Sequence, residues 1–238
     1  MRMRRLGDLI LGRNARRTEA SIAVSDPQVV QAFVAEPDNT FLVSFPRTGS
    51  HWLRMIMELY FERPSLVRVF FYPERRDYLT LHTHDLELDV QRPDVIYLYR
   101  NPVETIYSQL QYHKEGIDDR DRIAYWSDLY GRHLDKWLHR ERFTQRKTVV
   151  RYERLKDDLT AEFSSICAHF GKTLEVERLQ AAVAQVTRRR VKEKTQHDPQ
   201  VINVTHIYEE MRQRFHAQHG AFVWQVLLDG KEHLARDF

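Results

Sequence analysis

The stretch that most constrains this chain is Thr40 to Phe61, TFLVSFPRTGSHWLRMIMELYF. Its apolar run Phe41-Leu42-Val43 reads as a buried strand, which breaks at Pro46 and Gly49. The pattern then resumes with helical spacing, putting Trp52, Leu53, Ile56, Leu59 and Tyr60 on one face. Strand, tight loop and helix present successive backbone N–H groups and the positive end of a helix to an anion. Ser50 is the expected N-cap, and Arg47 adds a fixed cation beside the opening. The same pattern also serves as an ordinary strand-to-helix turn, so a second motif is needed to give it a function.

The rest of the chain alternates strands with helices. A short helix is expected over Asp26 to Ala35, with Asp26 as cap and Pro27 at its first position. Val67 to Tyr72 and Tyr78 to His82 read as two short strands or as a strand and an extended loop. Asp94 to Tyr99 (DVIYLY) is a buried strand, followed by a helix from Pro102 to Tyr112. Arg120 to Arg142 is a long helix with Ile123, Trp126, Tyr130, Leu134 and Trp137 on one core-facing stripe. Thr148 to Tyr152 is a further strand. Helices over Lys156 to Phe170 (stopped by Gly171), Glu175 to Val186 and Ile207 to Val226 complete the chain. This order predicts an α/β fold, a P-loop-like parallel β-sheet flanked by helices with a helical C-terminal portion. Its ligand would lie at the carboxyl ends of the strands.

With 238 residues the chain suits one domain, over residues 26–238, able to bury about 70% of its unfolded surface. Residues 1–25 form a basic N-terminal segment carrying Arg2, Arg4, Arg5, Arg13, Arg16 and Arg17. Its apolar run, Leu9 to Leu11, is too short for a signal-peptide core or a membrane span. The segment reads either as a solvated start or as a weak amphipathic contact with an anionic membrane surface. A formal net charge of +3 from 37 basic and 34 acidic residues suits an anionic ligand. It is too evenly mixed to predict a nucleic-acid partner. The single cysteine, Cys167, excludes an internal disulfide framework and predicts a reducing, cytoplasmic setting.

A nucleotide-triphosphate P-loop requires GxxxxGK[ST], which is not the spacing here. The loop reads Pro46-Arg47-Thr48-Gly49-Ser50-His51-Trp52, a PxxGxxW pattern. It resembles the 5′-phosphosulfate loop of the sulfotransferases that use 3′-phosphoadenosine-5′-phosphosulfate (PAPS), usually written PKSGTTW. Arg47 stands where that family has Lys, and His51 where it has a hydroxyl residue. Arg100-Asn101-Pro102 with Ser108 eight residues after Arg100 is similar to the family's 3′-phosphate element. There an arginine at a strand end and a serine on the next helix grip the phosphate. Arg151-Tyr152-Glu153-Arg154-Leu155 resembles the family's RYEDL, whose Tyr lies near the adenine, and Trp52 would form the other aromatic wall. The three motifs span about half the chain in family order.

The resemblance implies that PAPS is the cosubstrate and 3′,5′-bisphosphoadenosine (PAP) the product. Contacts would come from Arg47, Thr48, Gly49, Ser50, His51, Trp52, Arg100, Ser108 and Tyr152. In Leu81-His82-Thr83-His84-Asp85, His84 falls on the family's general base and His82 replaces a Lys. The implied catalytic pair is His84 and Arg47, with no metal. Two other classes stay open: a metal-dependent hydrolase built on His82, His84 and Asp85, and a non-catalytic nucleotide or RNA binder. The remaining histidines, including His133 and His139, are expected at the surface or as caps. The family's late RKGxxG segment is absent, and Arg188, Arg189, Arg190, Lys192 and Lys194 are the candidates to replace it. Polar stretches around His84 (Pro73 to Asp77, Asp85, Glu87, His113 to Gly116), with Tyr72, Tyr78 and Tyr112 interspersed, suit a hydroxyl acceptor such as a glycan or glycosylated metabolite. Oligomeric state is not encoded in any of these features.

Overall fold

A computed structural model describes residues 21–24, 26–195 and 206–238. Most of the basic N-terminal segment therefore lies outside the described residues. The elements run β1 (Ile22–Ala23), α1 (Pro27–Ala35), β2 (Phe41–Ser44), α2 (Ser50–Phe61), β3 (Ser65–Leu66), β4 (Arg68–Val69), β5 (Thr80–Thr83) and β6 (Asp94–Tyr99). They continue through α3 (Pro102–His113), α4 (Arg120–His139), a 3-10 turn (Glu141–Phe143), β7 (Arg146–Arg151), α5 (Tyr152–Asp157) and α6 (Leu159–His169). The last are α7 (Val176–Gln185), α8 (Arg188–Thr195), α9 (His206–Leu228) and a 3-10 turn (Glu232–Asp237).

Five strands form a parallel sheet in the order β3-β5-β2-β6-β7, and β1 pairs antiparallel with β4. Strand β2 sits in the middle, with Val43 level with Thr83 of β5 on one side and Tyr97 of β6 on the other. The chain leaves β2 toward one edge and returns to build the other, so β2 marks the topological switch point where α/β proteins place ligands. Alternation along the strands divides the core in two. Phe41, Val43, Val95, Tyr97 and Tyr99 pack with α3, α4 and α9, while Leu42, Ile96, Leu98 and Val150 pack with α2, α6 and α7. The predicted stripe on α4 is buried throughout: Ile123, Trp126, Tyr130, Leu134 and Trp137. Gly131 lets α9 approach α4 closely, since a Cβ there would collide with the Leu227 carbonyl.

Three expectations need correction. Val67 to Tyr72 is not a continuous strand: only Arg68–Val69 pairs, and Val67 is left-handed at φ 79°. The reason is Glu58, fully buried on α2, whose carboxylate accepts from the backbone N–H of Ser65 (2.9 Å), Phe70 and Phe71 (both 3.0 Å). Those donors are satisfied by a side chain instead of a neighbouring strand. Second, the helix expected over Lys156 to Phe170 is two helices. Asp158 closes the first through its N–H to Arg154 O (2.7 Å) and caps the second through Ala161 N (3.0 Å). Third, the long helix ends at His139, short of Arg142. Asp26 does cap α1, accepting from Gln28 N at 2.9 Å.

Candidate active site

The loop after β2 is shaped by two left-handed residues, Arg47 at φ 72° and Gly49 at φ 93°. A non-glycine residue in that region costs of order 1–3 kcal/mol and persists where surrounding structure fixes it. Gly49 has a second reason to be glycine, because a Cβ there would collide with the Tyr152 ring. Gly49, and not Ser50, is the N-cap of α2, and no side chain caps that helix. Ser50 is its first, buried residue. A side-chain cap would compete with an anion for the first-turn N–H groups, so its absence keeps the helix end receptive. The Trp52 N–H closes on Gly49 O at 3.1 Å, so the donor set for an anion ends before Trp52. Thr48 is fully buried and its hydroxyl donates to Phe45 O at 2.9 Å, which leaves only its backbone N–H to serve an anion. His51 turns its ring edge-on to Phe70, with centroids 5.8 Å apart.

The second motif meets the first. Arg47 Nε donates to Ser108 Oγ at 3.1 Å, joining residues 61 positions apart in the chain. Arg100, at the end of β6, reaches the same corner. Its Nη1 donates to Arg47 O at a long 3.4 Å, and its Nη2 to Glu104 Oε2 at 3.2 Å. Its Nε is buried with no hydrogen-bond partner. Tyr130 fixes the backbone behind it, accepting from Arg100 N (3.0 Å) and donating to Arg100 O (2.7 Å). Tyr152 lies under Arg100, with the guanidinium 4.7 Å from the ring centroid. Trp52 and Tyr152 stand edge to face, centroids 6.1 Å apart, as two half-exposed aromatic walls.

His84 follows β5 directly. Its Nδ1 lies 2.7 Å from Ser44 O. A carbonyl only accepts, so Nδ1 carries the proton and the Nε2 lone pair is available. Burial depresses the His84 pKa, and the charges of Arg54, His51 and Arg47 depress it further against the opposing Ser44 bond, so the ring is neutral. His82 lies beside it, ring centroids 4.8 Å apart, with Nε2 3.1 Å from Ser44 Oγ. Its pKa is driven well below the usual value, first by burial and then by Arg54 and His84. Where the family's Lys would bring a charge, His82 therefore brings none.

His133 is neither a surface residue nor a cap. It is fully buried, its pKa lowered to about 3 mainly by burial. Its Nε2–H donates to His84 O at 2.8 Å, and its Nδ1 accepts from Tyr97 OH at 2.9 Å. It holds the backbone of His84 in place. His139 is partly exposed and sits 2.8 Å from Asp237. The triad imagined for a metal does not form. Asp85 is clasped by Arg92 through two bonds of 2.9 Å and by Thr83 Oγ1 at 2.7 Å. Among the described residues, no three His, Cys, Asp or Glu side chains gather as a metal site.

The sequence reading missed Arg54, Glu104, His133, Tyr208 and Arg212. An arginine in the middle of an otherwise apolar helix was a visible signal for Arg54, which is buried with Nη2 on Arg68 O at 2.6 Å. Of the aromatic residues expected around the acceptor, Tyr78 is buried in the core, whereas Tyr72 and Tyr112 are half-buried. The Arg47 guanidinium stands 5.5 Å from the Tyr112 ring centroid.

Fold and site define a parallel α/β protein with an anion-receptive loop, a basic corner and a neutral imidazole at the carboxyl ends of its central strands. Residues 73–229 match the sulfotransferase domain family, and the chain belongs to that family. It is 26% identical over 187 residues to sulfotransferase 2B1 of Rattus norvegicus, covering 62% of this chain and 54% of the relative. To sulfotransferase 6B1 of Homo sapiens it is 26% identical over 203 residues, covering 71% and 67%. The chain thus spans roughly half to two-thirds of the length of these curated relatives. The crystal structure of mouse sulfotransferase SULT7A1 complexed with PAP shares the fold. Its TM-score is 0.52 at 15% identity, over 89% of this chain and 93% of that one.

Proposed function

We propose that the protein transfers a sulfuryl group from PAPS to a hydroxyl of a polar acceptor. The observation that carries this is the Arg47–Ser108 contact. It unites the loop suited to a 5′-phosphosulfate with the helix suited to a 3′-phosphate, beside a neutral His84. Membership of the sulfotransferase family and the PAP bound in the mouse structural relative support the same cosubstrate. The residues fit it: the Arg100 Nε is buried and unpartnered, and no side chain caps the helix that begins after Gly49.

When bound, PAPS supplies the sulfur electrophile and a phosphate leaving group. This chain's residues do the rest. Arg100 and Ser108 hold the 3′-phosphate, and Trp52 and Tyr152 flank the purine. Arg47, with the backbone of Thr48, Gly49, Ser50 and His51, holds the 5′ side and meets negative charge as it grows on the departing phosphate oxygen. His84 Nε2 accepts the proton from the acceptor hydroxyl as its oxygen bonds to sulfur and the sulfur–phosphate oxygen bond breaks. Positioning and charge account for the rate, with no covalent enzyme intermediate.

The acceptor belongs to the same proposal. Arg47 lies against the half-buried Tyr112, which packs on His113, and the polar stretches around His113 and Glu87 are assigned to the acceptor's rim. This polar rim with a half-buried aromatic supports a glycan or glycosylated metabolite over a small phenol, which would call for a deep apolar pocket. The single cysteine is a buried free thiol, which supports a reducing, cytoplasmic setting. Among the described residues no helix is long and apolar enough to cross a membrane, and the basic N-terminal residues are proposed to touch an anionic membrane surface at most peripherally. The function is tested by a labelled-PAPS screen across oligosaccharides, glycolipids, glycosylated natural products and phenols. Turnover of glycosylated acceptors is expected, and turnover confined to phenols would overturn the acceptor assignment.

A further inference from the structure

Of the basic run Arg188 to Lys194, the sequence's candidate for completing the 3′-phosphate site, three members meet other groups. Arg189 and Arg190 each lie 3.6 Å from Glu193. Lys194 is buried with its ammonium 4.9 Å from the Phe71 ring centroid. Among the described residues, α9 brings two groups to the Arg100–Ser108 corner. The Tyr208 side chain lies within reach of Ser108, and the charges of Arg100, Arg47 and Glu104 act on its hydroxyl. Tyr107 pins this first turn of α9 in place, donating from its hydroxyl to Tyr208 O at 2.7 Å and packing its ring 4.9 Å from that of Tyr208.

One turn further along, Arg212 Nη1 donates to Glu104 Oε1 at 2.6 Å. The other oxygen of the same carboxylate holds Arg100 Nη2 at 3.2 Å. His216 Nε2 is 2.8 Å from Glu104 Oε1, and Glu209 supports Arg212 at 2.8 Å. A carboxylate beside a phosphate seat repels the ligand and competes for the arginine that should bind it. Here its charge is met from behind by α9, and the looser of its two arginine contacts is the one to Arg100.

We propose that α9 completes the phosphate corner: the Tyr208 hydroxyl is a third ligand of the nucleotide 3′-phosphate beside Arg100 and Ser108, and Arg212 is a positioning residue that cancels Glu104 so that Arg100 remains available to the ligand. This rests on the PAPS reading above. Burial raises the Tyr208 pKa above the usual tyrosine value, so the hydroxyl keeps its proton at neutral pH and can donate it to an oxyanion.

The test is calorimetric titration with PAP and with adenosine 5′-diphosphate, which lacks the 3′-phosphate. Tyr208→Phe keeps the ring packing and removes only the hydroxyl. It is expected to weaken PAP roughly ten- to hundredfold, the range for one charge-assisted hydrogen bond, and to leave the diphosphate unchanged. Arg212→Gln is expected to weaken PAP similarly, but to cost little when Glu104→Gln is already present, because there is then no charge to cancel. A merely packing role for Arg212 would persist in the double variant. Unchanged PAP binding by Tyr208→Phe, equal loss for both nucleotides, or additive effects of Arg212→Gln and Glu104→Gln would overturn the proposal. A wild-type protein that binds PAP no better than the diphosphate would overturn the nucleotide reading itself.

Discussion

Strand β6 carries a charged residue at each end, and the two are partnered very differently. At the amino end Asp94, 3% exposed, is saturated. It accepts from Thr40 Oγ1 at 2.6 Å and from Arg146 at 2.7 and 2.6 Å, and His169 Nε2 lies 3.0 Å away. Burial alone would raise its pKa, but the bonds from His169, Arg146 and Thr40 hold it well below the usual carboxylate range. At the carboxyl end Arg100 has one buried nitrogen with no partner and two contacts longer than 3.1 Å. A saturated buried ion holds structure together. An under-satisfied one beside a strained loop and an uncapped helix end can still take up a ligand, the role proposed for Arg100. On the proposed function, the same strand separates a part of the chain that stays closed from one that is offered to an anion.

The sharpest way to break this contrast is at the closed end. Asp94→Ala leaves Arg146 and His169 without their buried acceptor and is expected to destabilise the fold by roughly 1–3 kcal/mol, the cost of unpairing buried donors, read as a lower urea midpoint. Little change in that midpoint would mean that the amino-end cluster is ornamental.

At the open end the effect appears in turnover. His84→Ala is expected to lower kcat by roughly 10²–10⁴ while PAP affinity stays near wild type, and His82→Ala to matter less. Near wild-type turnover would move the base elsewhere, with Asp85 and Glu87 next in line. Because the His84 pKa is lowered, first by burial and then by Arg54, His51 and Arg47, the neutral base survives to lower pH than free histidine allows. The acid limb of kcat/KM should then fall below pH ~6.5, and a limb above that value would contradict the assignment.

A smaller effect separates support from chemistry. His133 stays neutral in the fold down to about pH 3, whereas an unfolded histidine takes its proton near pH ~6.5. Its contribution to stability is therefore full above that pH and is lost as pH falls from there toward 3, amounting to about 2 kcal/mol by pH 5. In denaturant titrations at pH 7 and 5, replacing His133 by Gln should flatten this slope. An unchanged slope would assign the acid sensitivity to other groups.

Much of this arrangement is legible in the sequence where short-range rules suffice. The strand Asp94–Tyr99, the Asp26 cap and the α4 stripe follow from local pattern and stand in the structure as expected. The strand–loop–helix at 41–61 and the Arg100–Ser108 spacing are equally local, and the structure brings them into contact. What the sequence hides depends on long-range partners. Glu58 collects N–H groups from residues 7, 12 and 13 positions away and dissolves an expected strand. His133 reaches back 49 positions to His84 O, and Arg212 reaches 108 positions to Glu104. No periodicity reports such contacts, so a buried histidine reads as a surface one and a charge run on α8 draws attention away from α9.

The central claim, that the open end of β6 is a 3′-phosphate seat, is tested most directly by calorimetry of wild type and Arg100→Ala with PAP and with adenosine 5′-diphosphate. The account predicts that Arg100→Ala weakens PAP by roughly 1.5–3 kcal/mol and leaves the diphosphate nearly unaffected, so that the preference for PAP disappears while the urea midpoint holds. An equal loss for both nucleotides, or no loss for either, would contradict it.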